Sequence, residues 1–287
     1  MNKVAFFSVV YPGVESFLDD FFKSLMIQSF KNFDLIIIND GLHNLDVFIS
    51  KYSDLHIKII SFTDVIPKIR EYGMNYLIAN KYDIIIFGDS DDYFNLNRVE
   101  TSVELLKRYD IVVNDLSLVK NNEVFCKNYI SSRCSNMQEI DYNFIENKNI
   151  FGFTNTAIRA QIIKQMSFNK NIKAVDWFFF STLLYNDISA VFTNNTTTFY
   201  RQHSSNIAGI NKVNSTNLIP HLEVKINHYT EMQKTDQKYT NLCESYKDSL
   251  SQVLNNKDYF HSYLVTLQSQ EPKHHLWWEN IKSVKEL

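Results

Sequence analysis

The sequence predicts an α/β fold on a mostly parallel sheet, with a helical appendage at its carboxyl end. Three observations carry this reading. Short apolar runs recur through the first half, amphipathic stretches separate them, and the last quarter of the 287 residues keeps only the helical pattern. Residues 4–10 are β-branched and aromatic, which suits a buried strand. Residues 14–27 then set Val14, Phe17, Leu18, Phe21, Phe22, Leu25 and Met26 at helical spacing. The run "DLIIIND" at 34–40 is a second strand, 45–52 a weak helix, and "HIKII" at 56–60 a third strand. Residues 65–80 align Ile69, Tyr72, Tyr76 and Ala79 on one helical face. Ile84 to Phe87 form a fourth strand, 97–108 a helix and "YDIVVND" at 109–115 a fifth strand.

The second half is less regular. Residues 116–150 are polar and rich in Asn and Ser, with no period to assign, whereas 158–166 and 175–186 have helical spacing. "ISAVFTNNTTTFYRQH" at 188–203 reads either as two strands about an Asn-rich turn or as one long strand. A shift to Asn, Ser and Gly over 206–220 marks a boundary, so the expected domains are residues 1–212 and a helical extension over 213–287, interrupted at Pro272.

Composition narrows the class. With 45% hydrophobic and 21% charged residues the chain is that of a folded globular protein, and a net charge of −3 with scattered Lys and Arg gives no footprint for nucleic acid. Cys126, Cys134 and Cys243 fit neither a zinc site nor a disulfide framework and read as reduced thiols. The amino terminus has no small-residue cleavage site and is broken by Pro12-Gly13, and nowhere do 18 apolar residues run together. These features point to a cytoplasmic protein without a transmembrane segment. Peripheral contact with the inner face of the membrane and self-association through the C-terminal helices stay open.

The chemistry is concentrated in "YDIIIFGDSDDYF", residues 82–94. A strand buried on both faces delivers the chain into Asp89, Asp91 and Asp92, and such acids belong at its exposed end with a partner. Open parallel sheets bind ligands beyond the carboxyl ends of their strands, which gathers Tyr11, Asp40 and the acidic turn on one edge. Crowded carboxylates repel unless a cation is among them, and an oxygen-rich set suits Mg²⁺ or Mn²⁺ sharing its ligands with substrate phosphates. With six glycines the chain has neither a dinucleotide-binding nor a P-loop fingerprint, so side chains such as Arg70 would hold a phosphorylated ligand. Each residue also has a plain structural reading. Asp40-Gly41 is a common turn pair, short acidic clusters are usually solvated loops, Arg70 suits a helix surface, and His203 suits a loop. Asp176 suits a helix N-cap. Trp277 and Trp278 read as packing groups or as an interfacial anchor.

Over roughly the first 205 residues the order of features resembles the inverting glycosyltransferases of family 2, which have the GT-A fold. "IIINDG" is similar to the family's acidic turn, implying that Asp40 contacts a nucleotide base. "KIREYG" places Arg70 near the nucleotide, although Glu71 stands where the family usually has Asn. "DSDD" resembles the Asp-x-Asp element, implying that Asp89 faces the nucleotide sugar and Asp91 ligates a metal. "VDWFFFSTLL" resembles the acidic segment that opens a helix, implying Asp176 as catalytic base. "YRQHSSN" resembles a late element that brings Arg201 and His203 near the diphosphate, with His203 joining Asp91 at the metal. Val9, Pro12 and Val175 depart from the family pattern and blur the preference for nucleotide and sugar. The resemblance implies metal-dependent, inverting transfer from a nucleotide-diphosphate sugar, a UDP-sugar, to a glycan or lipid-linked glycan acceptor in surface polysaccharide synthesis. Two other readings remain: a sugar-phosphate nucleotidyltransferase, whose glycine-rich loop "YPGVESF" does not resemble, and a non-catalytic nucleotide-sugar-binding protein or scaffold.

Overall fold

The computed structural model describes residues 2–164, 167–203 and 210–287. By its internal packing the chain divides into two compact units. One comprises residues 1–141, 151–170 and 187–203; the other comprises residues 142–150, 171–186 and 204–287.

The first unit is built on one sheet. Among the described residues it holds β1 (Val4–Val10), β2 (Asp34–Asn39), β3 (Ile57–Ser61), β4 (Ile84–Phe87), β5 (Tyr93–Phe94), β6 (Ile111–Lys120), β7 (Glu123–Cys126), β8 (Thr156–Arg159) and β9 (Ala190–Arg201). Their order is β3-β2-β1-β4-β8-β6-β9-β5, with β7 paired to β6. The β3-β2-β1-β4 half is parallel, as is β6 with β9, while β8 runs antiparallel between β4 and β6. Every residue of β1 and β4 is buried, as expected of central strands covered on both faces. Helices α1 (Glu15–Met26), α2 (Leu45–Ile49), α3 (Ile66–Ala79) and α4 (Arg98–Leu105) supply the crossovers. Leu18, Phe21, Phe22 and Leu25 of α1 lie in one apolar cluster with Phe6, Phe33, Leu35, Ile86 and Phe94.

Two stretches differ from the expected elements. Residues 158–166 form no helix where described, and 165 and 166 lie outside the described residues. Thr156–Arg159 is instead a strand, followed by a short 3₁₀ turn, because Ala157 and Ile158 fill the ladder positions between β4 and β6. The stretch 188–203 is one long strand. Its Asn-rich middle is an irregularity, in which the partner of Asn114 is Thr193 but that of Asp115 is already Thr197.

The second unit contains α5 (Val175–Tyr185), α6 (Leu218–Met232), α7 (Lys238–Asn255) and α8 (Lys257–Gln270). Its interior is aromatic and unusually polar. Trp177 stacks on His228 at 3.7 Å between ring centroids, and Tyr229 stacks on Tyr239 at 5.5 Å. The Lys225 ammonium, fully buried, donates to the Tyr246 hydroxyl at 2.9 Å, and that hydroxyl donates to the Ile281 carbonyl. Past Pro272 the chain is not the helix its spacing suggested. It runs as a strap with buried Leu276, Trp277, Trp278 and Ile281, pairs Trp277 with Asn149, and ends in a 3₁₀ turn at Val284–Glu286. The early part of the 206–220 boundary lies outside the described residues. The three cysteines are thiols, and among the described residues no helix is long and apolar enough to cross a membrane.

Gly88 is the tightest point beneath the acidic turn. A Cβ there would overlap the rings of Phe6 and Phe94, which themselves pack edge to face at 4.9 Å. Gly88→Ala is therefore expected to overpack this layer and lower stability by roughly 1–3 kcal/mol, measured as an earlier urea unfolding midpoint with an unchanged slope.

Candidate functional site

The parallel register brings the ends of β1, β2 and β4 to one edge. The Gly88 amide donates to the Phe7 carbonyl at 3.1 Å, and the Ser90 hydroxyl donates to the Val9 carbonyl at 2.7 Å, so the turn after β4 is fastened to the end of β1. That places Tyr11 beside the acids, and its hydroxyl donates to Asp91 Oδ2 at 3.2 Å. Asp40, half-buried, follows β2 on the same edge, and its amide donates to the Val10 carbonyl at 2.8 Å. Gly41, with φ of 81°, supplies the left-handed turn that Asn39 closes by accepting from the Leu42 amide at 2.8 Å.

Helix α3 contributes Arg70. Its Nη2 donates to Asp89 Oδ1 at 2.5 Å, its guanidinium lies 4.8 Å from the centre of the Phe153 ring, and only 12% of its side chain is exposed. Buried Nη1 of the same group has no hydrogen-bond partner among the described residues. Glu71, next in the helix, accepts from Lys68 Nζ at 2.7 Å and from the Phe168 amide at 2.6 Å, so it ties α3 to a later loop.

The far end of β9 closes the site. His203 Nε2 lies 3.0 Å from Asp91 Oδ2, and its ring stacks on Phe17 with centroids 5.0 Å apart. Arg201 Nη1 donates to the Asp91 carbonyl at 2.8 Å, Nη2 donates to Asp20, and the guanidinium lies near the Phe17 and Tyr93 rings. Asp92 points inward. It is 1% exposed and accepts from the Thr154 hydroxyl at 2.6 Å and the Arg201 amide at 2.7 Å. Thus Tyr11, Arg70, Asp89, Asp91, Arg201 and His203 converge, while Ser204 to Asn206 of "YRQHSSN" lie outside the described residues.

Charge is the dominant problem of this edge. Burial pushes Asp89 above the usual carboxylate range, as does the charge of Asp91, against the pull of Arg70. Asp92 is pushed well above that range by burial and by the charges of Asp91 and Asp89. Burial, with the charges of Asp91 and Asp89, also raises the Tyr11 hydroxyl, which is therefore a donor at neutral pH.

Asp176 lies in the other unit. It is half-buried in the first turn of α5 and its Oδ1 accepts from the Trp177 amide at 2.7 Å. Trp177 is fixed in turn by its stack on His228 and by donating Nε1–H to the Ile145 carbonyl at 2.8 Å.

The sequence profile of "Glycosyl transferase family 2" matches residues 8–167, more than half of the chain. The chain belongs to glycosyl transferase family 2. The match spans Tyr11, Asp40, Arg70, Asp89 and Asp91 and ends before Asp176, Arg201 and His203. No curated protein matches the sequence. Solved structures with similar folds include TarS of S. aureus in complex with UDP-GlcNAc, at a TM-score of 0.62 and 16% identity, covering 88% of this chain and 72% of that one. The mannosyltransferase PcManGT from Pyrobaculum calidifontis, in complex with GDP-Man and Mn²⁺, aligns at 0.60 and 12% identity, covering 93% and 74%. GalNAc-T7 with UDP, GalNAc and Mn²⁺ aligns at 0.61 and 10% identity, covering 92% and 54%. A longer TarS chain is spanned over only 44% of its length. The α/β fold with a parallel core and C-terminal helices is thereby the GT-A fold, and this family 2 chain is a glycosyltransferase.

The residues present fit a divalent cation. Burial, with the neighbouring carboxylates second, raises Asp89 and Asp92, and Asp91 with His203 offers an oxygen and an imidazole nitrogen. Among the described residues no group of three or more acidic, His or Cys side chains surrounds such an ion. A pair of donors of this kind would leave most positions around an ion to phosphate and water.

Several members of the site carried no signal of their own. Phe17 and Asp20 read as ordinary faces of α1, and Phe153 and Thr154 sit in a stretch without periodicity. Only the i, i+3 spacing of Phe17 and Asp20, which puts an aromatic and an acid on one side of α1, could have linked them.

The raised carboxyls fix the sign of a pH effect. Asp89 and Asp92 are harder to ionise in the fold than in the unfolded chain, so their contribution is unfavourable above the folded pKa. That penalty is relieved as pH falls toward the ordinary value of 3.8. Metal-free protein should therefore lose thermal stability as pH rises through the mildly acidic range. Mn²⁺ should raise Tm more at about pH 7.5 than at about pH 5.5, as read by differential scanning fluorimetry.

Proposed function

We propose that this chain is a metal-dependent, inverting glycosyltransferase that moves a sugar from a UDP-sugar to a hydroxyl of a glycan or lipid-linked glycan. Its place would be on the cytoplasmic side, in the synthesis of a surface polysaccharide. The observation that carries the reading is the meeting of Asp91, His203 and Tyr11 with the Arg70–Asp89 pair at the carboxyl ends of β1 and β4. That edge is where an open α/β sheet binds its ligand.

In this reading Asp91 and His203 hold the cation, which when bound neutralises charge on the departing diphosphate. Arg70 brings a positive charge to the phosphate side of the edge, while its Nη2 holds Asp89 toward the sugar. Asp40 receives the base. Arg201 supports the diphosphate end from beside the acidic turn. UDP is preferred because TarS and GalNAc-T7 were each solved with UDP or a UDP-sugar, against GDP-Man for PcManGT.

Asp176 takes the proton of the acceptor hydroxyl as its oxygen attacks the anomeric carbon from the face opposite the diphosphate, so one displacement inverts that centre. A base so placed contributes roughly 10² to 10⁴ in rate. Its position in the first turn of α5 favours the carboxylate form.

Asp176→Asn should lower transfer by about 10² or more while leaving UDP affinity within about twofold. Titration calorimetry with UDP and a transfer assay on the same preparations check this, and unchanged transfer would remove Asp176 from the mechanism. A thermal-shift comparison of UDP and GDP with and without Mn²⁺ tests the donor. The largest shift is expected for UDP with Mn²⁺, and an EDTA-insensitive shift would count against Asp91 and His203 as metal ligands.

A further inference from the structure

We propose that Asp92 is a positioning residue that acts through Arg201 to hold His203 against Asp91. The proposal rests on the reading of Asp91 and His203 as the metal-binding pair.

His203 lies two residues beyond β9. The ladder between β6 and β9 ends at the pairing of Val119 with Arg201, and the Gln202 amide adds one bond to the Val119 carbonyl at 2.8 Å. The β6–β9 ladder thus ends two residues before His203. The acidic turn adds constraint from both sides of Arg201. Asp92 Oδ1 takes the Arg201 amide at 2.7 Å, and the guanidinium returns to the Asp91 carbonyl at 2.8 Å and to Asp20. Asp92 Oδ2 takes the Thr154 hydroxyl at 2.6 Å, so the carboxyl is fixed by residues 62 and 109 positions away. The backbone fixed at position 201 sets the point from which His203 departs. It is found stacked on Phe17 with Nε2 3.0 Å from Asp91 Oδ2.

The same geometry separates Asp92 from its neighbours in the motif. Both of its oxygens are engaged and it is 1% exposed, so it faces the protein rather than a ligand. Two adjacent aspartates therefore divide the work: Asp91 presents a carboxylate to the site, and Asp92 sets the strand end that brings the imidazole to it. Groups hydrogen-bonded directly to a metal ligand typically change affinity by about 10- to 100-fold when removed, and Asp92, acting through the backbone, is expected at the lower end of that range.

The test uses the full chain with Asp92→Ala, Asp92→Asn and Thr154→Val. Asn keeps an acceptor for the Arg201 amide and nearly the same shape, so it should rescue what Ala loses. In metal-free protein, NMR should show lost exchange protection of the Arg201 amide and loss of the Phe17 ring-current shift on the His203 ring in Asp92→Ala. Both signals should be near wild type in Asp92→Asn. Mn²⁺ affinity, read from the free-ion EPR signal, should weaken about tenfold or more in Asp92→Ala and stay within about twofold in Asp92→Asn. Thr154→Val removes one support without touching Arg201, so it should shift the same signals in the same direction by less, and it decides the matter if the Ala variant does not fold. A lowered Tm with unmoved His203 signals and unmoved Mn²⁺ affinity would overturn the proposal. If wild-type protein binds no Mn²⁺, the metal reading fails on its own, while the metal-free NMR signals still decide whether Asp92 places His203.

Discussion

The first unit turns on one electrostatic constraint: three carboxylates gathered at the end of a strand with no exposed residue. Each is answered differently. Asp89 has the Arg70 guanidinium, Asp91 a phenol and an imidazole, and Asp92 a hydroxyl and a backbone amide. A buried carboxylate without such partners would be costly, so the positions of α3, of the end of β1 and of the end of β9 are all constrained by the same turn. Packing and charge meet there. Phe6 and Phe94 lie directly below Gly88, and the Ser90 hydroxyl locks the turn to β1 above them.

Much of the parallel half was legible in the sequence for a physical reason. Central parallel strands are buried on both faces, so β1, β2 and β4 appear as unbroken apolar runs, and the helices between them carry a clear 3.6-residue period. The acids at the ends of those strands follow from topology once the strands are assigned. Tyr11, Asp40, Asp89 and Asp91 could therefore be assigned to one edge before any coordinates.

The rest was hidden because its determinants are not local. β8 is four residues long and owes its conformation to β4 and β6 on either side rather than to its own spacing. The strap after Pro272 is apolar at Leu276, Trp277, Trp278 and Ile281, close enough to helical spacing to mislead, but Trp278 has φ of 68°. Residues 142–150, in a polar stretch, pack with the helical unit through the Ile145 carbonyl and the Asn149–Trp277 bridge. Asp92 is the sharpest case. It is chemically identical to Asp91 and adjacent to it, and only the third dimension shows that one faces the site and the other faces Thr154.

Two side-chain contacts of Asp91 share a single oxygen: Oδ2 receives the Tyr11 hydroxyl and also meets His203 Nε2. One carboxylate oxygen thus ties the end of β1 to the chain just past β9, so a shift of either side chain changes the room and the lone pair left to the other.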